Sequence, residues 1–182
     1  MSRLTRRDFI KSSAAVGASL ALAPHSRVLG ANNDIRIGVI GVGGQGGNHM
    51  GYFHKLSGVR LVAICDADKA HIEKRARDFE KKNNVKLKTY MDVRKMLDDK
   101  DIDAVTTATP NHWHSLISIW ACQAGKDMYC EKPVSHNVWE GRKIVEAARK
   151  YNRIVQTGTQ KRSDEGLMQA YDYIRKDNMP TC

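Results

Sequence analysis

The chain has 182 residues, 41% of them hydrophobic and 27% charged. That is the balance of an ordinary globular protein, and the length allows one domain and part of another. The formal net charge is +10. Five basic residues and one acidic residue fall in the first 31 positions; the remaining excess is spread over stretches such as "EKRARDFEKKNN", with no aromatic-interleaved basic stripe, which argues against a nucleic-acid-binding surface.

The N-terminus reads as an address. Arg6 and Arg7 lead into Phe9 and Lys11, and a mildly apolar run follows from Ser12 to Ala23. That run is too short, and too rich in Ala, Ser and Gly, to cross a membrane as a helix. Thr5 to Lys11 resembles the bacterial twin-arginine export signal. Residues 1–31 are therefore expected to be that signal, with the twin-arginine export machinery as partner, a periplasmic or otherwise exported location, and no membrane association in the mature form. Small residues at Ala21 and Ala23, or at Val28 and Gly30, offer cleavage points. The export route carries folded proteins, so a cofactor bound before export is expected.

The globular part opens with a strand, Ile35 to Ile40, followed by Gly41, Gly43 and Gly46 in the order Gly-x-Gly-x-x-Gly, and a helix from about Gly46 to Leu56. Val59 to Cys65 reads as a second strand ending in Asp66. A helix from Lys69 to about Lys82 carries Ile72, Ala76 and Phe79 on one face, at amphipathic spacing. A short strand at Lys88 to Tyr90 and a short helix from Asp92 to Leu97 follow. "IDAVTTATP" is a third long strand, then a helix runs from about His112 to Ala124, ended by Gly125. Asp127 to Cys130 is a strand, Asn137 and Glu140 form a capping pair for a helix reaching about Tyr151, "RIVQTG" is another strand, and a last helix is expected to bury Leu167, Ala170, Tyr171 and Ile174. Alternating strands and helices predict an α/β fold with a doubly wound parallel sheet; with the glycine motif after the first strand and Asp66 after the second, this is the NAD(P)-binding Rossmann arrangement. We divide the chain at 1–31 (signal), 32–162 (Rossmann domain) and 163–182 (a helix leading toward a second domain).

The glycine motif lies between a strand and a helix, and Asp66 closes the next strand 25 residues after Gly41. In that context Gly41, Gly43, Gly44, Gln45 and Gly46 are expected to cradle a pyrophosphate against a helix N-terminus. Asp66 would accept hydrogen bonds from both adenosine ribose hydroxyls and repel a 2′-phosphate, so NAD is favoured over NADP. Thr109 to His114 and Glu131 to Pro133 follow two neighbouring strands, at the carboxyl ends where ligands collect in an open parallel sheet. His112 and His114, two apart at a helix start and without a cysteine or carboxylate cluster, are not expected to bind metal. Trp113, Trp120 and Trp139 are expected to be packing residues. Cys65, Cys122, Cys130 and Cys182 show no metal spacing and are expected to be free thiols.

Taken together, "GVIGVGGQGG", "CDAD", "TPNHWH" and "YCEKP" resemble the glucose–fructose oxidoreductase, inositol dehydrogenase and rhizopine-catabolism (Gfo/Idh/MocA) family over Asp34 to about Arg162. The resemblance implies that Lys132 is the catalytic lysine beside the nicotinamide, able to relay the proton released when an alcohol becomes a ketone. It implies that Glu131 helps hold the nicotinamide ribose, that Asn111 and His114 line the cofactor pocket together with Thr109, and that Gln160 lies near the nicotinamide or the substrate. Pro133 would stiffen the turn, X–Pro bonds being sometimes cis. The substrate implied is a sugar or polyol.

Family members also carry a second, mainly antiparallel domain that supplies most substrate contacts and the oligomer interface. No such domain follows in these 182 residues, so the expectation is a piece of a longer product whose full-length form is a homo-oligomer. Two alternatives to the oxidoreductase reading stand: a non-catalytic or truncated nucleotide-binding module, and an NAD-dependent glycosidase-like relative. The latter shares "GVGG" and the Trp-His ending of the "TPNHWH" stretch, but its members tend to lack the lysine that stands here at 132.

Overall fold

A computed structural model describes residues 34–176. The twin-arginine segment, Cys182 and the end of the tail lie outside the described residues. Six strands, β1 (Ile35–Ile40), β2 (Val59–Cys65), β3 (Lys88–Tyr90), β4 (Ala104–Thr107), β5 (Asp127–Glu131) and β6 (Val155–Gly158), form one sheet in the order β3-β2-β1-β4-β5-β6. Every pairing is parallel. The helices are α1 (Gln45–His54), α2 (Lys69–Asn83), α3 (Val93–Leu97), α4 (Asn111–Gln123), α5 (Val138–Lys150) and α6 (Glu165–Arg175), with a 3-10 turn at Gln160–Ser163 before α6.

Both faces of a sheet connected by helical crossovers are covered, which is why the central strands carry apolar residues on both faces. Ile37 and Val39 of β1 pack with Met50 of α1 and with Ile72 and Phe79 of α2. Ile40, on the opposite face, packs with Met96 and Leu97 of α3 and with Ile117 and Ala121 of α4. Gly38 is small for a packing reason: a Cβ there would meet the Met96 terminal methyl at 2.1 Å. The β1–β2 register shifts between Ile37 and Gly38, with Leu61 opposite Ile37 and Ala63 opposite Gly38. This bulge absorbs one residue, Val62, so that Leu61 and Ile64 join one core while Ala63 and Cys65 join the other.

The helix ends follow the chemistry of their caps. Asp68 accepts from Ala70 N–H, Asp92 from Arg94 N–H and Asp164 from Leu167 N–H. Asn137 and Glu140 form the expected reciprocal pair at α5. Gly125 after α4 has φ 73°. Arg36, Lys88, Asp99, Asp101 and Asp103 form an ionic cluster around the amino ends of the strands, away from the carboxyl ends.

Two expectations are corrected. The face of α6 carrying Leu167, Ala170, Tyr171 and Ile174 is not buried; Leu167, Tyr171 and Ile174 are at least half exposed. Its amphipathic spacing predicts a covered face, but α6 follows the last strand and packs chiefly on the 3-10 turn rather than on the sheet. Trp120 packs against the core, but Trp113 and Trp139 are exposed. Trp139 lies in the first turn of α5, outside the sheet, with the Lys143 ammonium 5.4 Å above its ring. Cys65, Cys122 and Cys130 are free and buried, as expected.

Candidate functional site

The carboxyl ends of β1, β2 and β4 enclose a cleft of about 850 Å³, within the range of small-molecule sites. Gly41, Gly43, Gly44, Asp66, Thr109 and Pro110 line it, with Met91, Trp113 and Trp120 on its apolar side. Gly41 turns the chain out of β1 at φ 80°, a left-handed conformation that glycine adopts without steric penalty. Gly46 lets α1 close against that turn: a Cβ on it would lie 1.7 Å from the Gly41 carbonyl oxygen. At Gly44, by contrast, a Cβ would meet nothing within 4 Å, and no side chain caps the N–H groups that begin α1. An open approach, uncapped N–H groups and the positive end of a helix dipole fit a pyrophosphate.

Asp66 is tied into this loop. One carboxylate oxygen accepts from Val42 N–H at 2.8 Å and the other from Asp68 N–H at 3.0 Å. Each oxygen keeps a lone pair for a further donor. Asp68 and Asp92 add carboxylates along the same side of the cleft, and His71 and Arg94 stand among them. Arg94 is engaged by both oxygens of Asp92. From the other side, Arg75 of α2 donates to the carbonyl oxygens of Val42 and Gly43 and braces the glycine turn.

A second cluster lies at the end of β5. Glu131 is 4% exposed, and its carboxylate accepts from Gln45 of α1 at 3.4 Å, from His49 of α1 at 2.8 Å, from the Gln160 side chain, and from the backbone N–H of Lys132 at 3.1 Å. Burial pushes the Glu131 carboxyl up, but the donors, His49 first, outweigh it and hold the group below its ordinary value. Lys132 is exposed, and its bond to Pro133 is cis. Gln45, Glu131 and Gln160 are thus in direct contact, while Lys132 meets them through its backbone.

Asn111 is exposed at the first position of α4. His114 is buried, with Nδ1 2.6 Å from the Pro133 carbonyl oxygen and Nε2 2.8 Å from that of Thr109. It joins the loops after β4 and β5 and does not line the cleft. Sequence reasoning missed His49, Arg75 and Thr106. His49 had one available signal: it follows Gly46 by three residues and Met50 is its apolar neighbour, so it falls on the sheet-facing side of α1. Among the described residues there is no group of three or more His, Cys, Asp or Glu able to hold a metal ion.

A parallel sheet in this strand order, with a glycine turn after β1 and an acidic residue at the end of β2, defines a dinucleotide-binding domain of the Rossmann type. The model of the oxidoreductase family with an NAD-binding Rossmann fold (Gfo/Idh/MocA) matches residues 35–159, and the chain belongs to that family. Residues 3–23 match the twin-arginine translocation signal sequence, which directs export through that pathway to the periplasm.

Inositol 2-dehydrogenase of Salmonella typhimurium is 30% identical over 142 residues, covering 77% of this chain and 41% of the relative. A glycosyl hydrolase family 109 protein of Shewanella sp. (strain ANA-3) is 32% identical over 172 residues, covering 81% and 38%. The solved structure of myo-inositol 2-dehydrogenase from Lactobacillus plantarum superposes with a TM-score of 0.70 at 27% identity, covering 81% of this chain and 43% of that one. The chain spans about two fifths of the length of these relatives.

Proposed function

We propose that this chain is the cofactor half of an exported, NAD-dependent oxidoreductase that moves hydride between a CH–OH carbon of a sugar or cyclitol and nicotinamide. The observation that carries the reading is the contact between Gln45, at the start of α1, and Glu131, 86 residues later at the end of β5. It sets the Glu131-Lys132-Pro133 turn beside the glycine loop, so one dinucleotide would span both clusters. Bound NAD supplies the hydride acceptor. The glycine turn and the N-terminus of α1 would hold the pyrophosphate, Asp66 the adenosine ribose, and Thr109 and Pro110 the wall between the two halves. Glu131 would orient the nicotinamide ribose. Lys132, exposed at the end of β5, would take the proton leaving the substrate hydroxyl. Asn111 and Gln160 would close the nicotinamide end, and His114 would fix the loops that carry it.

Asp66, with Asp68 and Asp92 beside it, disfavours a 2′-phosphate, so we assign NAD rather than NADP. An exported enzyme has no cytoplasmic pool to renew its cofactor, which favours NAD held tightly and recycled between substrates. Sugar or polyol substrates fit the similarity to the inositol dehydrogenases. A second reading, NAD-dependent glycoside cleavage, draws on the similarity to the Shewanella protein, and Lys132 argues against it.

The test is calorimetric titration of the chain with NAD and NADP, followed by incubation of the full-length gene product with NAD and a panel of inositols, aldoses and aryl glycosides. Tighter binding of NAD, with NADH accumulating on a polyol or sugar and lost in Lys132→Met, is the expected result. Glycoside cleavage without net NADH would establish the second reading. No binding of either nucleotide would overturn both.

A further inference from the structure

Of the groups that donate to Glu131, His49 is unlike the rest. Gln45 and Gln160 are exposed side chains, and the Lys132 N–H is the neighbouring peptide. His49 is 2% exposed and is itself held from behind, with Nδ1 2.9 Å from the hydroxyl of Thr106, a β4 residue with no exposed surface. A carboxylate only accepts, so His49 Nε2 carries the hydrogen toward Glu131, and in the neutral ring Nδ1 accepts from Thr106 O–H. The chain Thr106–His49–Glu131 therefore runs in one direction, from the middle of the sheet to its carboxyl edge. Phe53 and Tyr129 stand edge-on to the imidazole, with ring centroids 6.0 and 5.6 Å away. The ring is thus clamped by packing as well as by hydrogen bonds.

Burying a carboxylate and an imidazole is unfavourable unless both are fully paired, and an apolar trio would fill the same space at lower desolvation cost. Stability alone does not account for this chain. It ends on the Glu131 carboxylate, whose other oxygen accepts the Lys132 N–H.

We propose that His49 is a positioning residue: by fixing the Glu131 carboxylate it sets the start of the Glu131-Lys132-Pro133 turn and so the affinity for the nicotinamide riboside half of the cofactor. This rests on the reading of that turn as the nicotinamide end. Thr106 acts through His49 by holding Nδ1, and with it the plane of the ring, while the Glu131 carboxylate fixes which nitrogen carries the hydrogen.

The experiment compares NAD with ADP, which has the adenosine and phosphates but no nicotinamide riboside, by titration calorimetry on the wild-type chain and three variants. His49→Leu keeps bulk and removes both hydrogen bonds. His49→Gln returns an amide N–H near the position of Nε2. Thr106→Val is nearly isosteric and removes only the hydroxyl. His49→Leu is expected to weaken NAD binding about 10- to 100-fold, the range for a hydrogen bond to a charged group, while ADP binding stays within about twofold. His49→Gln should recover most of the loss, and Thr106→Val should lose part of it. Equal losses for NAD and ADP in His49→Leu would reduce His49 to a structural residue, and unchanged NAD affinity would end the proposal. If His49→Leu does not fold, the same comparison on Thr106→Val decides: unchanged NAD affinity there overturns the proposal. A wild-type chain that binds NAD no tighter than ADP overturns the functional reading itself, before any variant is made.

Discussion

Replacing Gly46 by alanine pushes a methyl group into backbone. Its Cβ would lie 1.7 Å from the Gly41 carbonyl oxygen and 2.8 Å from the carbonyl carbon. Reaching van der Waals separation requires α1 and the turn to part by roughly 1–2 Å. The turn has little room to retreat, because the Thr109 backbone nitrogen already stands 2.9 Å from where a Gly41 Cβ would be. Alanine returns about 1 kcal/mol through helix propensity. Overpacking against an immobile neighbour costs about 1–3 kcal/mol, and here the neighbour is backbone, which puts the cost at the upper end. The net loss is about 1–2 kcal/mol, or a fall in Tm of roughly 3–8 °C for a domain of this size.

Gly51 in the same helix is the control. A Cβ there meets nothing within 4 Å, so Gly51→Ala should gain about 0.5–1 kcal/mol. Thermal unfolding by circular dichroism gives the stabilities, and calorimetry with ADP reports the turn. ADP affinity should fall in Gly46→Ala and hold in Gly51→Ala. A Gly46→Ala protein as stable as Gly51→Ala, with wild-type ADP affinity, would refute the close approach.

Asp66→Ala leaves the Val42 N–H without its acceptor in a site where Val42 is fully buried. It should cost about 1–3 kcal/mol even without nucleotide, read as a shift in the denaturation midpoint; an unshifted midpoint would mean that Asp66 serves the ligand alone. Glu131 is held below its ordinary value of 4.5, so its contribution is full above that pH and is lost as pH falls through the lower folded value. Wild type should therefore lose stability faster than Glu131→Gln on acidification below about pH 4.5, and parallel acid curves would contradict this. Burial pushes the thiols of Cys65 to about 12 and of Cys130 to about 11. Both should resist iodoacetamide at about pH 8 in the native protein and react after denaturation, as read by peptide mass spectrometry; rapid native labelling would show the core to be open.

The strand and helix order was legible because it rests on local pattern. Apolar runs such as Leu61–Cys65, the helical spacing of Ile72 and Phe79, and the Asn137–Glu140 pair are each local to one stretch of chain. The glycine turn and Asp66 were legible because glycines followed by a distant acid have one common arrangement between a strand and a helix. The α6 face misled for the same reason. Its periodicity is real, but whether a face is covered depends on what folds against it.

The sequence by itself determined the doubly wound sheet, the cradle after β1 and the acidic residue after β2, because backbone propensity and side-chain period are properties of neighbouring residues. Only the tertiary structure decided that Arg75 braces the cradle from 33 and 32 residues away, that His114 bridges two loops, and that His49 reaches Glu131 across 82 residues. Those contacts join elements that meet only when the sheet closes, and a buried polar group takes its partner from whatever the packing brings within hydrogen-bond distance.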